Sequence, residues 1–498
     1  MADQRVAVVD IGSNSGRVVV IGIDEAGHLQ VLANGRAPLR LARDLGRRGR
    51  ITEGTIERTS AAVRDFRAIG ESAGAQSFIA LATSAVRESN NAEELLSRIE
   101  NESGVQVRVI EGDEEARYTF MGAIHGLAIQ HGVVADLGGG SVELTRFRRR
   151  SASGSWTLPL GSLRLSERFL VDDPPSAKQI ASLARHARSA LEATELTELA
   201  RDERLVGTGG TIRNLAKIDH ASGSYPIPRL HGYVLSHARV QGIADHLASL
   251  RASRRRLVRG LSRERADSIV GGGFALLSVM QHVGATELTV SSHGLREGAA
   301  IDASSIPDRT LEDARRASVR ALASRFSTWA PDQAERRALI ATTLLGTISP
   351  DADTAEHERL AQAATLLDIG RSVDYYSRFD HTADLITEAD LDCFSHRKLA
   401  LLSAVVRQAG NERMSVSRYR PLLGRSDAVP VSRLATLLAL ADEIEHRLPP
   451  ERSGELTCRV EGKRVLLEAP VYDPWRRDAL SERFRTAFGK TLEWGPDR

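Results

Sequence analysis

Apolar positions along this 498-residue chain fall into two alternating kinds of run. Short blocks rich in Val, Ile and Leu predict strands over 6–9, 18–23, 29–33, 78–82, 105–110, 133–137, 142–147, 156–160, 204–206 and 287–290. Between them, apolar residues recur at the period of a helix over 55–72, 93–103, 113–127, 176–199, 236–250 and 266–282. Strand–helix alternation of this kind argues an α/β fold. The pattern changes after a linker at 304–308. From 310 to about 445 the chain is rich in Ala, Leu and Arg at helical spacing, and Pro449-Pro450 marks a break. Strand-like runs return at 456–460 and 464–467, followed by a helix over 474–488. The boundaries this implies are 1–125 and 126–305 for two α/β domains, 306–450 for a helical domain and 451–498 for a small α/β domain.

Within the strand pattern one block occurs twice. Val6-Ala7-Val8-Val9-Asp10-Ile11-Gly12-Ser13-Asn14-Ser15 returns as Gly132-Val133-Val134-Ala135-Asp136-Leu137-Gly138-Gly139-Gly140-Ser141, with the two aspartates 126 positions apart. Each copy is an apolar strand ending in Asp, a turn of small residues and a second apolar run. A duplicated phosphate-binding hairpin has this form. An Asp at the strand end can hold a metal ion or a water, and a Gly/Ser turn lets backbone N–H groups approach phosphate oxygens. A third loop of the same character, Gly207-Thr208-Gly209-Gly210-Thr211, follows the strand at 204–206. One glycine loop is usually an ordinary turn. Three, two of them behind the same strand–Asp pattern, point to an anion-binding cleft.

The acidic residues add chemistry to that cleft. Glu143 lies two residues past Ser141, so strand alternation puts both on one face. Glu114 and Glu115 open the helix predicted from 113. A carboxylate there complements the helix dipole. Beside bound phosphate it can also take a proton from an attacking water. Arg87 closes Thr83-Ser84-Ala85-Val86-Arg87. It can pair with phosphate, with Thr83 and Ser84 as further donors, or with Glu88 at the surface.

Charge and composition narrow the partners. Net charge is only +2, so the chain is not a polycation, and neither nucleic acid nor a membrane is an expected partner. Its basic residues are lopsided, with five lysines and 62 arginines. The arginine fork suits phosphate oxygens, although the clusters at 47–50, 148–150 and 254–256 read as solvated faces. Cys393 and Cys458 have no metal-ligand spacing and fit a reducing compartment. No signal-peptide pattern stands near the first residues, and no apolar run approaches the ~20 residues of a membrane helix, so a cytoplasmic protein is expected. In the helical region, His357, Asp368, His381, His396 and Asp442 invite comparison with a His-Asp metal cluster. Position 367 is Leu, so no adjacent His-Asp pair exists there and a transition metal is not expected.

At these residues the chain resembles the exopolyphosphatase / guanosine pentaphosphate phosphohydrolase family of the actin-like ATPase (ribonuclease H-like) superfold. The resemblance rests on the blocks 10–15, 82–87, 111–117 and 136–144, on Leu160-Gly161-Ser162, on 207–211, and on Gly294-Leu295-Arg296-Glu297-Gly298. It implies duplicated actin-like domains, followed by a helical domain related to His-Asp phosphohydrolases and a small C-terminal domain. It implies Glu114 as general base for the attacking water and Glu143 as a second acid near water or metal. Asp10 and Asp136, with Glu143, would hold Mg²⁺, and K⁺ is a possible activating ion. Gly12, Ser13, Asn14, Ser15, Thr83, Arg87, Gly138, Gly139, Gly140, Ser141, Gly207, Thr208, Gly209, Gly210 and Thr211 would contact phosphate. Inorganic polyphosphate is the implied substrate, with guanosine pentaphosphate or tetraphosphate as the alternative ligand and a homodimer as the assembly. A non-hydrolytic sensor or a sugar-kinase-like enzyme on the same superfold is the rival from another class. Asp368 and Asp442 fall where the His-Asp fold has metal-binding aspartates, but the neighbouring histidine is missing.

Overall fold

A computed structural model describes residues 4–304, 306, 309–447, 456–468 and 477–495. The chain divides into two compact units, one of residues 1–224 and 230–311, the other of 225–229 and 312–498.

The first unit carries two sheets. In one, β1 (Gln4–Ile11), β2 (Ser15–Ile23), β3 (Leu29–Pro38), β4 (Ser77–Ala82) and β5 (Val107–Val109) run in the order β3-β2-β1-β4-β5. The hairpin strands β1 to β3 are antiparallel, and β1, β4 and β5 are parallel. The other sheet holds β6 (His131–Leu137), β7 (Val142–Arg148), β8 (Ser151–Leu158), β9 (Arg204–Thr208), β10 (Val234–Ser236) and β11 (Glu287–Val290). Its order, read from β8, is β8-β7-β6-β9-β11-β10. Through five strands it repeats the order and sense of the first sheet, and β10 adds an antiparallel edge.

Helices cover these sheets. They are α1 (Leu41–Arg48), α2 (Glu53–Ser72), α3 (Ser84–Arg87), α4 (Ala92–Ser103), α5 (Gly112–Ile124), α6 (Ser162–Phe169), α7 (Ala177–Glu192), α8 (Gly210–Ala221), α9 (His237–Ser249), α10 (Ala252–Arg255), α11 (Ile269–His282) and α12 (Leu295–Asp302). Val9, Ile11 and Val18 pack with Ile56, Val63 and Phe66 of α2 and Leu95 and Ile99 of α4. Val6, Val8, Val19 and Ile21 pack on the opposite face with Tyr118 of α5 and Ala299 and Ala300 of α12. A sheet buried on both faces needs continuous apolar strands, which is why β1 and β2 read as Val runs rather than alternation. Each such side chain contributes about 1.5–3 kcal/mol when fully buried.

The sequence draws a boundary at 125/126, but there the chain crosses over instead of ending a body. α5 sends Phe120, Ala123 and Ile124 against Val134, Phe147 and Val206 of the second sheet. α12, from the end of the second half, packs on the first sheet. The two helices touch backbone to backbone. A Cβ at Gly122 would lie 2.0 Å from the Gly294 carbonyl oxygen, and one at Gly298 would lie 1.7 Å from that of Tyr118. Both halves therefore form one unit.

Other differences have local causes. The helix expected to reach 199 stops at Glu192, because the Thr194 hydroxyl takes the Leu191 carbonyl at 2.7 Å and accepts from Leu196 N–H. Helices α6, α8 and α12 are not among the expected elements, since each begins at or directly after Gly or Ser within a stretch that reads as loop. The clusters at 148–150 and 254–256 are not simply solvated. Arg150 donates to the carbonyls of Ile124, Leu127 and Ile129, and Arg255 is buried with Asp173 at 2.7 Å.

The second unit is helical, with α13 (Leu311–Ala323), α14 (Pro331–Ile348), α15 (Thr354–Leu366), α16 (Arg378–Glu388), α17 (His396–Gly410) and α18 (Ala428–Glu445). Strands β12 (Thr457–Glu461), β13 (Arg464–Glu468) and β14 (Thr491–Trp494) form a small sheet beside α19 (Arg477–Phe488). Val465, Leu467, Leu480, Phe484 and Leu492 join the same core as Leu344, Leu399 and Leu437. The described part of 451–498 is thus built onto the helical core. Pro449-Pro450, the expected helix start at 474, and residues 305, 307 and 308 of the linker lie outside the described residues. Among the described residues no helix is long and apolar enough to cross a membrane.

Candidate active site

The two repeated blocks fold as equivalent hairpins. Gly12 N–H donates to the Ser15 carbonyl at 3.3 Å, and Gly138 N–H donates to that of Ser141 at 3.1 Å. Asp10 and Asp136 end the central strands β1 and β6 just before these turns. Their cross-strand partners differ. Asp10 faces Arg17, whereas Asp136 faces Glu143.

The loops are held by their carbonyls, which leaves amides for other work. At the second turn, Gly138 oxygen accepts from Ser162 N–H, Gly139 oxygen from Leu163 and Arg164, and Gly140 oxygen from Gly161. The unexpected helix α6 therefore spends its first N–H groups on the glycine triplet. At the first turn, Asn14 oxygen accepts from Leu39 and Arg40. The Ser13 and Ser84 hydroxyls are hydrogen-bonded at 3.1 Å, which ties α3 to the turn. Thr83 is buried, takes the Ile11 carbonyl with its N–H, and starts α3. In the third loop, Gly209 sits at φ 91°, and a Cβ there would lie 2.4 Å from Asp136 Oδ1. Only glycine lets the backbone turn this close to the acid. Thr208 donates to the His293 carbonyl at 2.6 Å, and the buried Thr211 hydroxyl has no hydrogen-bond partner among the described residues.

Helix α5 separates the two candidate bases. Successive residues on a helix point about 100° apart. Glu114 turns outward: Arg108 Nη1 donates to both its oxygens at 2.7 Å, and Tyr118 hydroxyl donates at 2.9 Å. Those bonds, led by Arg108, hold its carboxyl below the ordinary glutamate range. Glu115 turns toward the acids, and one helical turn on, the Thr119 hydroxyl bonds Asp136. Burial, then the charges of Asp136 and Asp10, push Glu115 up to about 7. Glu143, beside Asp136 and accepting from the Ser141 hydroxyl, is pushed up to about 8, chiefly by burial. Burial raises Asp10 and Asp136 as well. Four carboxyls thus crowd one site, and the base expected at Glu114 is not among them. Arg87 does not pair with Glu88. It donates to the Ile110 carbonyl and stands 3.8 Å from Glu115.

Beside the acids opens a cavity of about 390 Å³ lined by Arg17, Arg36, Arg213, Lys217, Arg265 and Arg296 against one carboxylate, Glu297. Burial and mutual repulsion lower Arg17 to about 9 and Arg265 to about 10. Arg265 lies over the start of α8, where a Cβ at Gly210 would be 1.9 Å from its Nη2. Crowding cations at the positive end of a helix is unfavourable until an anion arrives. Sequence reading singled out none of these cavity cations. Arg296 and Glu297 lie within the motif at 294–298, and the other five cations are few among many arginines and lysines.

Among the described residues no three His, Cys, Asp or Glu side chains close a metal cage. Mg²⁺ does not require one, since it keeps several waters and takes one or two carboxylates plus phosphate oxygens. The half-buried carboxyls of Asp10, Asp136 and Glu143 suit such a cation.

Comparison with known proteins gives a consistent result. Residues 19–305 match the model of the Ppx/GppA phosphatase family, and 314–475 match that of Ppx/GppA phosphatase domain III. Exopolyphosphatase 1 of Mycobacterium leprae is 30% identical over 298 residues, covering 59% of this chain and 88% of its own length. Exopolyphosphatase 1 of Mycobacterium tuberculosis is also 30% identical, over 86% of its length. A crystal structure of the Aquifex aeolicus Ppx/GppA family member superposes with a TM-score of 0.55 at 28% identity, over 61% of this chain and 98% of that one. An exopolyphosphatase from Cytophaga hutchinsonii gives 0.53 at 26% identity, over 61% of this chain and 100% of that one.

Proposed function

Because the chain belongs to the Ppx/GppA phosphatase family, we propose that it is an exopolyphosphatase, a hydrolase that removes the terminal phosphate of inorganic polyphosphate. Its two sheets with a common strand order are, on this reading, the halves of a duplicated actin-like fold. The observation that carries the substrate class is the cavity, with six cations and one carboxylate directly beside the acid cluster. A linear polyanion answers that charge better than a single phosphoester does.

The terminal phosphate lies between the two hairpin turns, on the amides of 12–15 and 138–141, with the start of α8 and Arg87 as further donors. The following phosphates lie among Arg17, Arg213, Arg265 and Arg296. Glu115, in place of Glu114, takes the proton of a water positioned for in-line attack on the terminal phosphorus. Orthophosphate leaves, and the shortened chain keeps its contacts in the cavity. Asp10, Asp136 and Glu143 would hold Mg²⁺, which when bound neutralises charge on the phosphoryl oxygens. The protein's part is mostly positioning and electrostatic stabilisation, as phosphoryl transfer requires. The test is phosphate release from long-chain polyphosphate and from guanosine pentaphosphate, side by side with Mg²⁺. A higher kcat/KM for polyphosphate is expected. Preference for the nucleotide would overturn the substrate, and phosphorylation of a sugar from ATP without phosphate release from either would overturn the hydrolase.

A further inference from the structure

Asp368 and Asp442 fall where the His-Asp fold has metal-binding aspartates, the neighbouring histidine is missing, and the residues present do not fit a metal. Asp368 follows α15, while Asp442 and Glu445 stand three residues apart on one face of α18. All three carboxylates face one buried guanidinium inside the helical unit, on different edges of it. Arg337 of α14 is 0% exposed. Its guanidinium lies 2.8 Å from Asp368, 3.0 Å from Asp442 and 3.6 Å from Glu445, and its remaining Nη1 donates to the Ala364 carbonyl at 3.1 Å. Each acid also has an outer arginine: Arg371 at 3.5 Å from Asp368, Arg378 at 2.9 Å from Asp442 and Arg336 at 2.7 Å from Glu445. Arg337 is the hub, since among the described residues it alone touches all three.

We propose that Arg337 is the resident cation of the helical unit, occupying a carboxylate site that would otherwise take a divalent metal, and so excluding metal from it. Three buried carboxylates without a cation between them would repel one another and stay unsolvated. A side-chain guanidinium meets that need permanently, with no dependence on metal supply. It also offers fixed planar donors to oxygens on different elements, so the same group locks α14, the end of α15 and α18 together. Hard oxygen ligands of this kind suit Mn²⁺ or Mg²⁺ once the guanidinium is gone.

Mn²⁺ binding by electron paramagnetic resonance on the full chain tests this. Arg337→Ala is expected to bind one more Mn²⁺ per chain than the unsubstituted protein, and adding Asp368→Asn to that variant is expected to abolish the extra ion. A folded Arg337→Ala protein with unchanged stoichiometry would overturn the proposal. So would an unsubstituted protein that loses a bound Mn²⁺ on Asp368→Asn. If Arg337→Ala does not fold unaided, refolding with Mn²⁺ or methylguanidinium is the second readout. Return of a cooperative thermal transition supports the cation role, and no return under either cation overturns it.

Discussion

Glu115→Gln keeps the size and most of the packing of Glu115 but cannot accept a proton. We expect it to lose about two to four orders of magnitude in kcat while still binding polyphosphate. Glu114→Gln should stay within about tenfold of the parent, because Glu114 is engaged by Arg108 and Tyr118 away from the acids. Steady-state rates of the two variants, measured together, decide which glutamate is the base. The pH profile is a second check. Glu115 must be ionised to act, so kcat/KM should rise with pH along a limb near 7, and added Mg²⁺ should move that limb to lower pH by offsetting the neighbouring carboxylates. Stability has the opposite sign. Glu115 and Glu143 hold their protons in the folded protein up to about 7 and about 8, above the ordinary glutamate value of 4.5. The native state therefore binds more protons than the unfolded chain across that window. Unfolding free energy of the metal-free protein should fall as pH rises from about 5 to 8, and Glu143→Gln should flatten the fall in denaturant titrations. The sequence made the pair Glu114-Glu115 visible as a place for a base. It could not choose between them, because the choice depends on which face of α5 docks on the acids and on Arg108 reaching across from β5.

The elements that hold the site differ in how openly the sequence declares them. The hairpins were legible because strand, Asp and glycine turn are adjacent in the chain, and continuous apolar runs need no distant information. Helices α6 and α8 were not, since their glycine-rich starts look like loop until tertiary contacts supply partners for their first N–H groups. The crossing of α5 and α12 was equally hidden, being a contact between residues far apart in the chain. It now makes a prediction of its own. Gly122→Ala or Gly298→Ala pushes a methyl group into a backbone carbonyl that has no rotamer to yield. The cost should reach about 3 kcal/mol or more, the upper end for overpacking, measured by urea denaturation. Because α5 carries Glu115, such a variant that still folds should also lose kcat more than it raises KM.

For the whole molecule, a net charge of +2 conceals a strongly local field. Six cations face one cavity, while the acids of the site lie beside it. Neutralising the rim cations, Arg36→Gln and Lys217→Gln, should raise KM for polyphosphate several-fold with little change in kcat. If the chain behaves as a single-stranded polyanion, each lost phosphate contact should lower the slope of log affinity against log salt by about 0.7. Rates at graded KCl would measure both. An unchanged slope would remove those two residues from the substrate path.

Arg17 and Glu143 hold equivalent places in the two hairpins, one opposite Asp10 and the other opposite Asp136. Inorganic polyphosphate has two identical ends and no inherent polarity. A cleft made of matched halves would hold it equally well either way round. The exchange of Arg17 for Glu143 between the halves puts a cation beside one aspartate and a second acid beside the other, so the two hairpins are not interchangeable to a symmetric polyanion.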